Sequence, residues 1–290
     1  MTVQTGKLYV VATPIGNLDD ISYRACSVLK QVDWIAVEDT RQSKKLLDHY
    51  QISKKLISLH LFNEKSRVDQ IIQRLQSGQS GALISDAGTP CISDPGALLI
   101  QAMHLNQIPV VPIPGPCALI TALSISGFAS TEFLFVGFLP SKSTARKTKL
   151  TSLKRLTFTL VMYEAPHRIS EMLSDCKDIL GSERKVVVAR ELTKKYETLY
   201  VNKLQNLFDD SVLSNIEPRG EFVVVIEGFL EDEQQNQDIS DQKARKILTK
   251  LLSEMSVKSA VQLTAEITEC PKNKLYDWAV TLQNQHTKDS

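Results

Sequence analysis

The chain has 290 residues, enough for about two domains and an appendage. Its 34 basic and 33 acidic residues leave a formal charge of +1, and 42% hydrophobic against 23% charged residues is the balance of a folded globular chain. Bulk disorder is excluded, and so is a strongly basic whole, which leaves any nucleic-acid contact to a local patch.

In chain order, short apolar and β-branched runs at Leu8–Ala12, Trp34–Val37, Leu56–Leu59, Ala82–Ser85 and Val110–Ile113 read as strands. Amphipathic stretches between them, such as Ile21–Gln31 and Arg67–Gln76, read as helices. The alternation predicts β-α-β units and a parallel sheet in an N-terminal α/β domain, 1–125. A second α/β domain with a mixed sheet is expected over 126–230. Its strands are Phe133–Phe138, Thr157–Tyr163, Lys185–Ala189, Thr198–Val201 and Glu221–Ile226, and its helices Arg146–Arg155, Ile169–Leu180 and Lys203–Leu213. The polar, acidic run EDEQQNQDISD, 231–241, reads as a linker. Residues 242–290 read as helical. Ala244, Ile247, Leu248, Leu251 and Leu252 form an apolar stripe, Val257–Thr268 follows, and Pro271 suits the start of Lys272–Gln283. Such a unit fits a helix-turn-helix or a helical cap equally well.

Six of the eleven prolines fall between Pro90 and Pro116. Four Pro/Gly loops, ATPIGNL, SDAGTP, SDPG and PIPGPCA, stand at strand ends or helix starts. Ligands of open parallel sheets bind outside the carboxyl ends of the strands, so these loops predict a cleft.

Several familiar chemistries are excluded. The first loop lacks G-x-G-x-x-G, which removes a conventional dinucleotide site although Glu38 stands where a ribose carboxylate would. There is no Walker lysine motif and no G-x-S-x-G elbow. The five cysteines form no C-x-x-C pair, and the histidines have no metal-ligand spacing, so no metal is expected. A reducing cytoplasm is the simplest compartment. No apolar run reaches the roughly 18 residues of a membrane span, and the N-terminal apolar stretch is short for a signal peptide.

Four polar constellations remain, each at an expected strand end: Glu38-Asp39-Thr40-Arg41, His60 with Asn63-Glu64, Tyr163-Glu164-Ala165-Pro166-His167-Arg168, and Arg190-Glu191-Leu192-Thr193-Lys194. The first also reads as a helix start capped by Asp39 or Thr40. A fifth feature is basic: Lys142, Arg146, Lys147, Lys149, Lys154 and Arg155 occur with no acid between them, next to the Phe138-Leu139-Pro140 loop. It is either a solvated helix face or a guide for phosphates.

LYVVATPIGNLDD, AVEDTR, LISDAGTPCISDPG, VVPIPGPCALITAL, GFLP, YEAPHR, ARELTKKYET and RGEFVVVIEG occur in this order. Together they resemble the tetrapyrrole-methylase-like methyltransferases, and more narrowly the branch acting on small-subunit ribosomal RNA. The resemblance covers the whole chain. It implies two α/β domains with S-adenosylmethionine in the cleft between them, a homodimer, and methylation of a cytidine ribose 2′-hydroxyl in the decoding region of 16S rRNA. It carries cofactor contacts to Pro14, Ser85, Asp86, Ala87, Ile92, Ser93, Cys117 and Ala118, with Tyr163 and Leu192 on the adenine side. One departure stands out. The family commonly has His-x-His-Asn-Glu after the third strand, and here Phe62 takes the second histidine's place.

A ribose hydroxyl is a weak nucleophile, so a positioned base helps. Glu38, Glu164 and His167 are the expected candidates. Arg41 and Arg168 would hold RNA phosphate or pair with those carboxylates, and Arg146, Lys147 and Lys149 would contact RNA. Two other readings stand beside this one: the same fold acting on a small tetrapyrrole-like molecule or a protein, and a non-catalytic nucleic-acid-binding protein.

Overall fold

The computed structural model describes residues 6–128, 131–208, 219–230, 233–268 and 270–286. The chain divides into two compact units, Met1–Phe229 and Leu230–Ser290.

In the first unit β1 (Leu8–Val11), β2 (Trp34–Val37), β3 (Lys55–Ser58), β4 (Gly81–Leu83) and β5 (Val110–Ile113) form a sheet in the order β3-β2-β4-β1-β5, parallel throughout. Side chains alternate across a strand. Trp34 and Ala36 therefore pack on one face with Leu75, Leu83 and Leu99, while Ile35 and Val37 pack on the other with Leu29, Leu47 and Ile84. Burial on both faces is why β2 reads as an unbroken apolar run. The covering helices are α1 (Tyr23–Gln31), α2 (Thr40–His49), α3 (Glu64–Gln76), α4 (Ala97–Leu105) and α5 (Ala118–Ser124).

The second sheet contains β6 (Phe133–Phe138), β7 (Thr159–Glu164), β8 (Lys185–Arg190), β9 (Thr198–Lys203) and β10 (Phe222–Ile226), in the order β6-β7-β10-β8-β9. It is mixed: β6 and β7 are parallel, and the other pairs antiparallel. One face packs on α6 (Ser143–Leu153) and α7 (Ile169–Leu180) through Leu150, Met162, Met172, Val188 and Val224. The other face, with Val161, Val187 and Val225, takes Leu119 and Ala122 of α5, which joins the two sheets. Of the expected helix Lys203–Leu213, Lys203 ends β9 and Gln205–Phe208 form a 3-10 turn; positions 209–213 lie outside the described residues.

The second unit contains α8 (Glu233–Leu252), α9 (Val257–Thr268) and α10 (Lys272–His286), packed through Ala244, Leu248, Ala260, Val261, Leu275 and Ala279. Here the linker expectation for 231–241 is corrected, because α8 begins at Glu233. Glu and Gln are good helix formers, and the run contains no Gly or Pro to end a helix. Asp241 pairs with Lys274 at 2.6 Å, and the Arg245 guanidinium lies 4.4 Å from the Trp278 ring centroid. Among the described residues no helix is long and apolar enough to cross a membrane.

Candidate active site

β4, β1 and β5 are neighbours, so the loops leaving their carboxyl ends lie side by side. Thr13 and Gly88 exchange backbone hydrogen bonds of 2.9 and 3.1 Å, joining the first loop to the second. The buried Thr13 hydroxyl donates to the Ser85 carbonyl at 3.2 Å, and Thr89 Oγ1 donates to the Pro116 carbonyl at 3.0 Å. In the second sheet β6, β7 and β8 run in one direction and β10 in the other. Their carboxyl ends and the start of β10 therefore face the same opening.

Between these two sets of strand ends lies a cavity of about 460 Å³, within the usual range for small-molecule sites. Its apolar wall includes Ile15, Ile92, Ala118, Leu192 and Val223; Asp86, Asp94 and Glu164 add carboxylates. The loops are held in unusual backbone conformations. Cys91 and Ser93 (φ 69° and 67°) and Glu191 and Thr193 (φ 53° and 65°) all occupy the left-handed region. Each such residue costs on the order of 1 kcal/mol, and such residues concentrate at functional sites. Gly96 (φ 128°) closes the loop between β4 and α4, and a Cβ there would stand 2.7 Å from Leu83 Cδ2 and 2.8 Å from Cys91 Sγ.

The cavity is acidic on the side of the first sheet. Burial pushes the Asp94 carboxyl up to about 6, with the charges of Glu38 and Asp86 adding to the shift and a hydrogen bond from Ser85 opposing it. Burial also raises Asp86, against a hydrogen bond from the Asp39 amide at 3.2 Å. Glu38 stands outside the cavity wall, next to its Asp86, and is raised by burial and then by that carboxylate. Tyr163, raised well above an ordinary phenol by burial, accepts a hydrogen bond from the Leu119 amide at the start of α5.

Of the expected cofactor contacts, Asp86, Ala87, Ile92, Ser93, Cys117, Ala118, Tyr163 and Leu192 line this cavity. Pro14 and Ser85 are buried behind it, where the Ser85 hydroxyl donates to the Gly88 carbonyl at 3.2 Å. Asp94 and Phe138 also line the cavity, beyond the expected contacts; Asp94 belongs to the LISDAGTPCISDPG motif and Phe138 to GFLP.

Several expected roles change. Glu164 is buried; its Oε1 accepts from the Ala165 amide at 2.8 Å, and its Oε2 lies 3.2 Å from the Arg168 guanidinium. Arg168 also donates to the Leu139 carbonyl at 2.6 Å; of its two expected roles, the ion pair with a candidate carboxylate is the one the structure contains. His167 is exposed on a 3-10 turn and is not part of the cavity wall, so its imidazole is poorly placed to take a proton there. Arg146 is not an RNA contact: its side chain is 1% exposed and pairs with Asp175 at 2.6 Å. Lys147 lies 3.3 Å from the same carboxylate, while Lys149 is exposed. Asp39 caps α2, accepting from the Arg41 amide at 2.8 Å, and its carboxylate pairs with the exposed Arg41 guanidinium at 2.9 Å. Glu64 is buried and accepts from the Leu99 amide in the first turn of α4 at 3.0 Å, while Asn63 accepts from the His60 amide at 2.8 Å.

A parallel sheet and a mixed sheet joined by a helix define an α/β protein whose first unit is built around an acid-lined cavity of small-molecule size between their strand ends. The chain belongs to the tetrapyrrole (corrin/porphyrin) methylase family, whose model matches residues 7–207. A second model, described as the RsmI C-terminal HTH domain, matches residues 238–283. The chain is 48% identical over 274 residues to a Vibrio cholerae protein named ribosomal RNA small subunit methyltransferase I, covering 94% of each. It is 45% identical over 283 residues to a Pseudomonas aeruginosa protein of the same name, covering 98% of this chain and 100% of that one. Among solved structures it shares its fold with a cobalt precorrin-4 methyltransferase (TM-score 0.55, 18% identity, 76% of this chain and 94% of that one). The same holds for a Thermus thermophilus uroporphyrin-III C-methyltransferase complexed with S-adenosyl homocysteine (TM-score 0.54, 14% identity, 77% and 97%).

Proposed function

We propose that this chain transfers a methyl group from S-adenosylmethionine to small-subunit ribosomal RNA. One observation carries the reading: similarity to proteins of that name runs through both units, at 48% identity over 274 residues. Fold alone would not select RNA, because precorrin methylases and a diphthine synthase share it. The finer reading is a homodimer in the cytoplasm that methylates the ribose 2′-hydroxyl of a cytidine in the decoding region of 16S rRNA, within the small subunit.

The cavity fits the cofactor. Its volume suits a nucleoside-sized molecule, its walls offer apolar surface to an adenine, and Asp86 and Asp94 offer negative charge to a cation. When bound, S-adenosylmethionine supplies an electrophilic methyl on a positively charged sulfur. The protein's own task is to orient the hydroxyl and exclude water. Asp94 holds the cofactor's positive charge. Glu38, beside Asp86 and raised by burial, takes or orients the hydroxyl proton. Glu164 is anchored by Arg168 and the Ala165 amide and shapes the wall. Arg41, Lys147 and Lys149 bind phosphate.

Labelled cofactor incubated with unmodified small subunits, and separately with a precorrin, tests the reading. Label in the ribosomal RNA alone supports it; label in the precorrin alone overturns it.

A further inference from the structure

β6 is not a regular strand. Its register to β7 shifts between Phe135 and Gly137: Phe135 pairs with Val161, Gly137 with Met162 and Phe138 with Tyr163. Val136 is the extra residue of a β-bulge, and Gly137 beside it takes a left-handed φ of 71°, open to glycine without a Cβ penalty. In a regular strand residues three apart point to opposite faces. Here the bulge turns Phe138 to the side of Phe135, and both rings lie edge-on to Tyr163, at 4.9 and 5.8 Å between centroids.

We propose that Phe138 is the platform on which the base of the methylated nucleotide stacks. This rests on the ribosomal RNA reading above. Phe138 lines the cavity yet is 55% exposed, so it presents open ring surface at the mouth. Tyr163, by contrast, is half-buried, with its hydroxyl held by the Leu119 amide. The other exposed aromatics among the described residues, Tyr23, Phe62, Phe133, Phe158, Tyr196 and Tyr276, are not part of the cavity wall. The next residue is anchored too, since the Leu139 carbonyl accepts from Arg168 at 2.6 Å. Beyond it lie the exposed Lys142 and Lys149 of the α6 region, placed for the phosphates of the same strand. A ribose hydroxyl that reaches into the cavity leaves its base at the mouth, and any base offers a π-face to an aromatic ring.

The test compares wild type with Phe138→Ala, Phe138→Leu and Phe138→Trp on unmodified small subunits, with cofactor affinity measured by calorimetry. The Ala and Leu variants are expected to raise KM for RNA roughly tenfold to a hundredfold, with cofactor affinity and melting temperature unchanged. The Trp variant should keep a near-native KM, and its added indole emission should be quenched by RNA but not by cofactor. Leu keeps the apolar bulk and so guards against a folding failure in the Ala variant. Wild-type KM in the Leu variant, or lost cofactor affinity in it, would overturn the proposal. A wild-type protein that does not methylate the subunits removes the RNA reading itself, and this inference with it.

Discussion

At the scale of single residues, Asp94 should set the pH dependence of cofactor binding. Its carboxyl is pushed up to about 6, so it is charged above that pH and neutral below it. Affinity for the cationic cofactor is therefore expected to fall as pH drops from 7 through 6 to 5. Asp94→Asn should bind roughly tenfold more weakly and show a flatter profile, measured by calorimetry. A wild-type affinity that ignores pH over this range would remove Asp94 from that role. Arg146 makes the opposite kind of prediction. Arg146→Ala leaves Asp175 buried with its principal partner gone, and should cost about 3–5 kcal/mol in urea unfolding. The basic run containing Arg146 is legible in the sequence, but its burial is not, because the pairing acid lies 29 positions further on. Asp94 was hidden for another reason: an Asp before Pro-Gly is also an ordinary turn residue.

Among elements, strands were the most legible. In β2, β8 and β10 the apolar, β-branched runs come from burial on both faces, whereas β9 alternates between half-buried and exposed residues. The bulge in β6 was not legible, since a glycine within Phe133–Phe138 looks like any strand glycine until its partner's register is known. The buried carboxylate of Glu64 was read as part of a polar constellation and serves α4 instead. Glu64→Ala should destabilise the protein by about 1–3 kcal/mol in thermal unfolding, because the Leu99 amide loses its acceptor. On α6, Lys149 is a cleaner probe of RNA binding than Lys147, which already neighbours Asp175 and Asp178. Lys149→Glu should weaken RNA binding and reduce the slope of log affinity against log salt by about 1. An unchanged slope would return α6 to an ordinary solvated helix.

For the whole molecule, a formal charge of +1 hides an uneven distribution. The acids gathered around the cavity suit a cationic cofactor, and the exposed Lys142 and Lys149, at the start of α6 and on it, suit an anionic polymer. Neutrality in sum thus excludes neither. Every residue of the cavity wall lies within the first unit, so a chain ending at Phe229 should bind S-adenosylmethionine with wild-type affinity. Weakened binding by that truncated chain would show that the helical unit supports the cofactor site. The central claim, methylation of ribosomal RNA, is tested most directly by mass spectrometry of 16S rRNA from cells with and without this protein. The account predicts one ribose-methylated cytidine in the decoding region that disappears with the protein and returns when the gene is restored. An identical set of ribose methylations in both samples would contradict it.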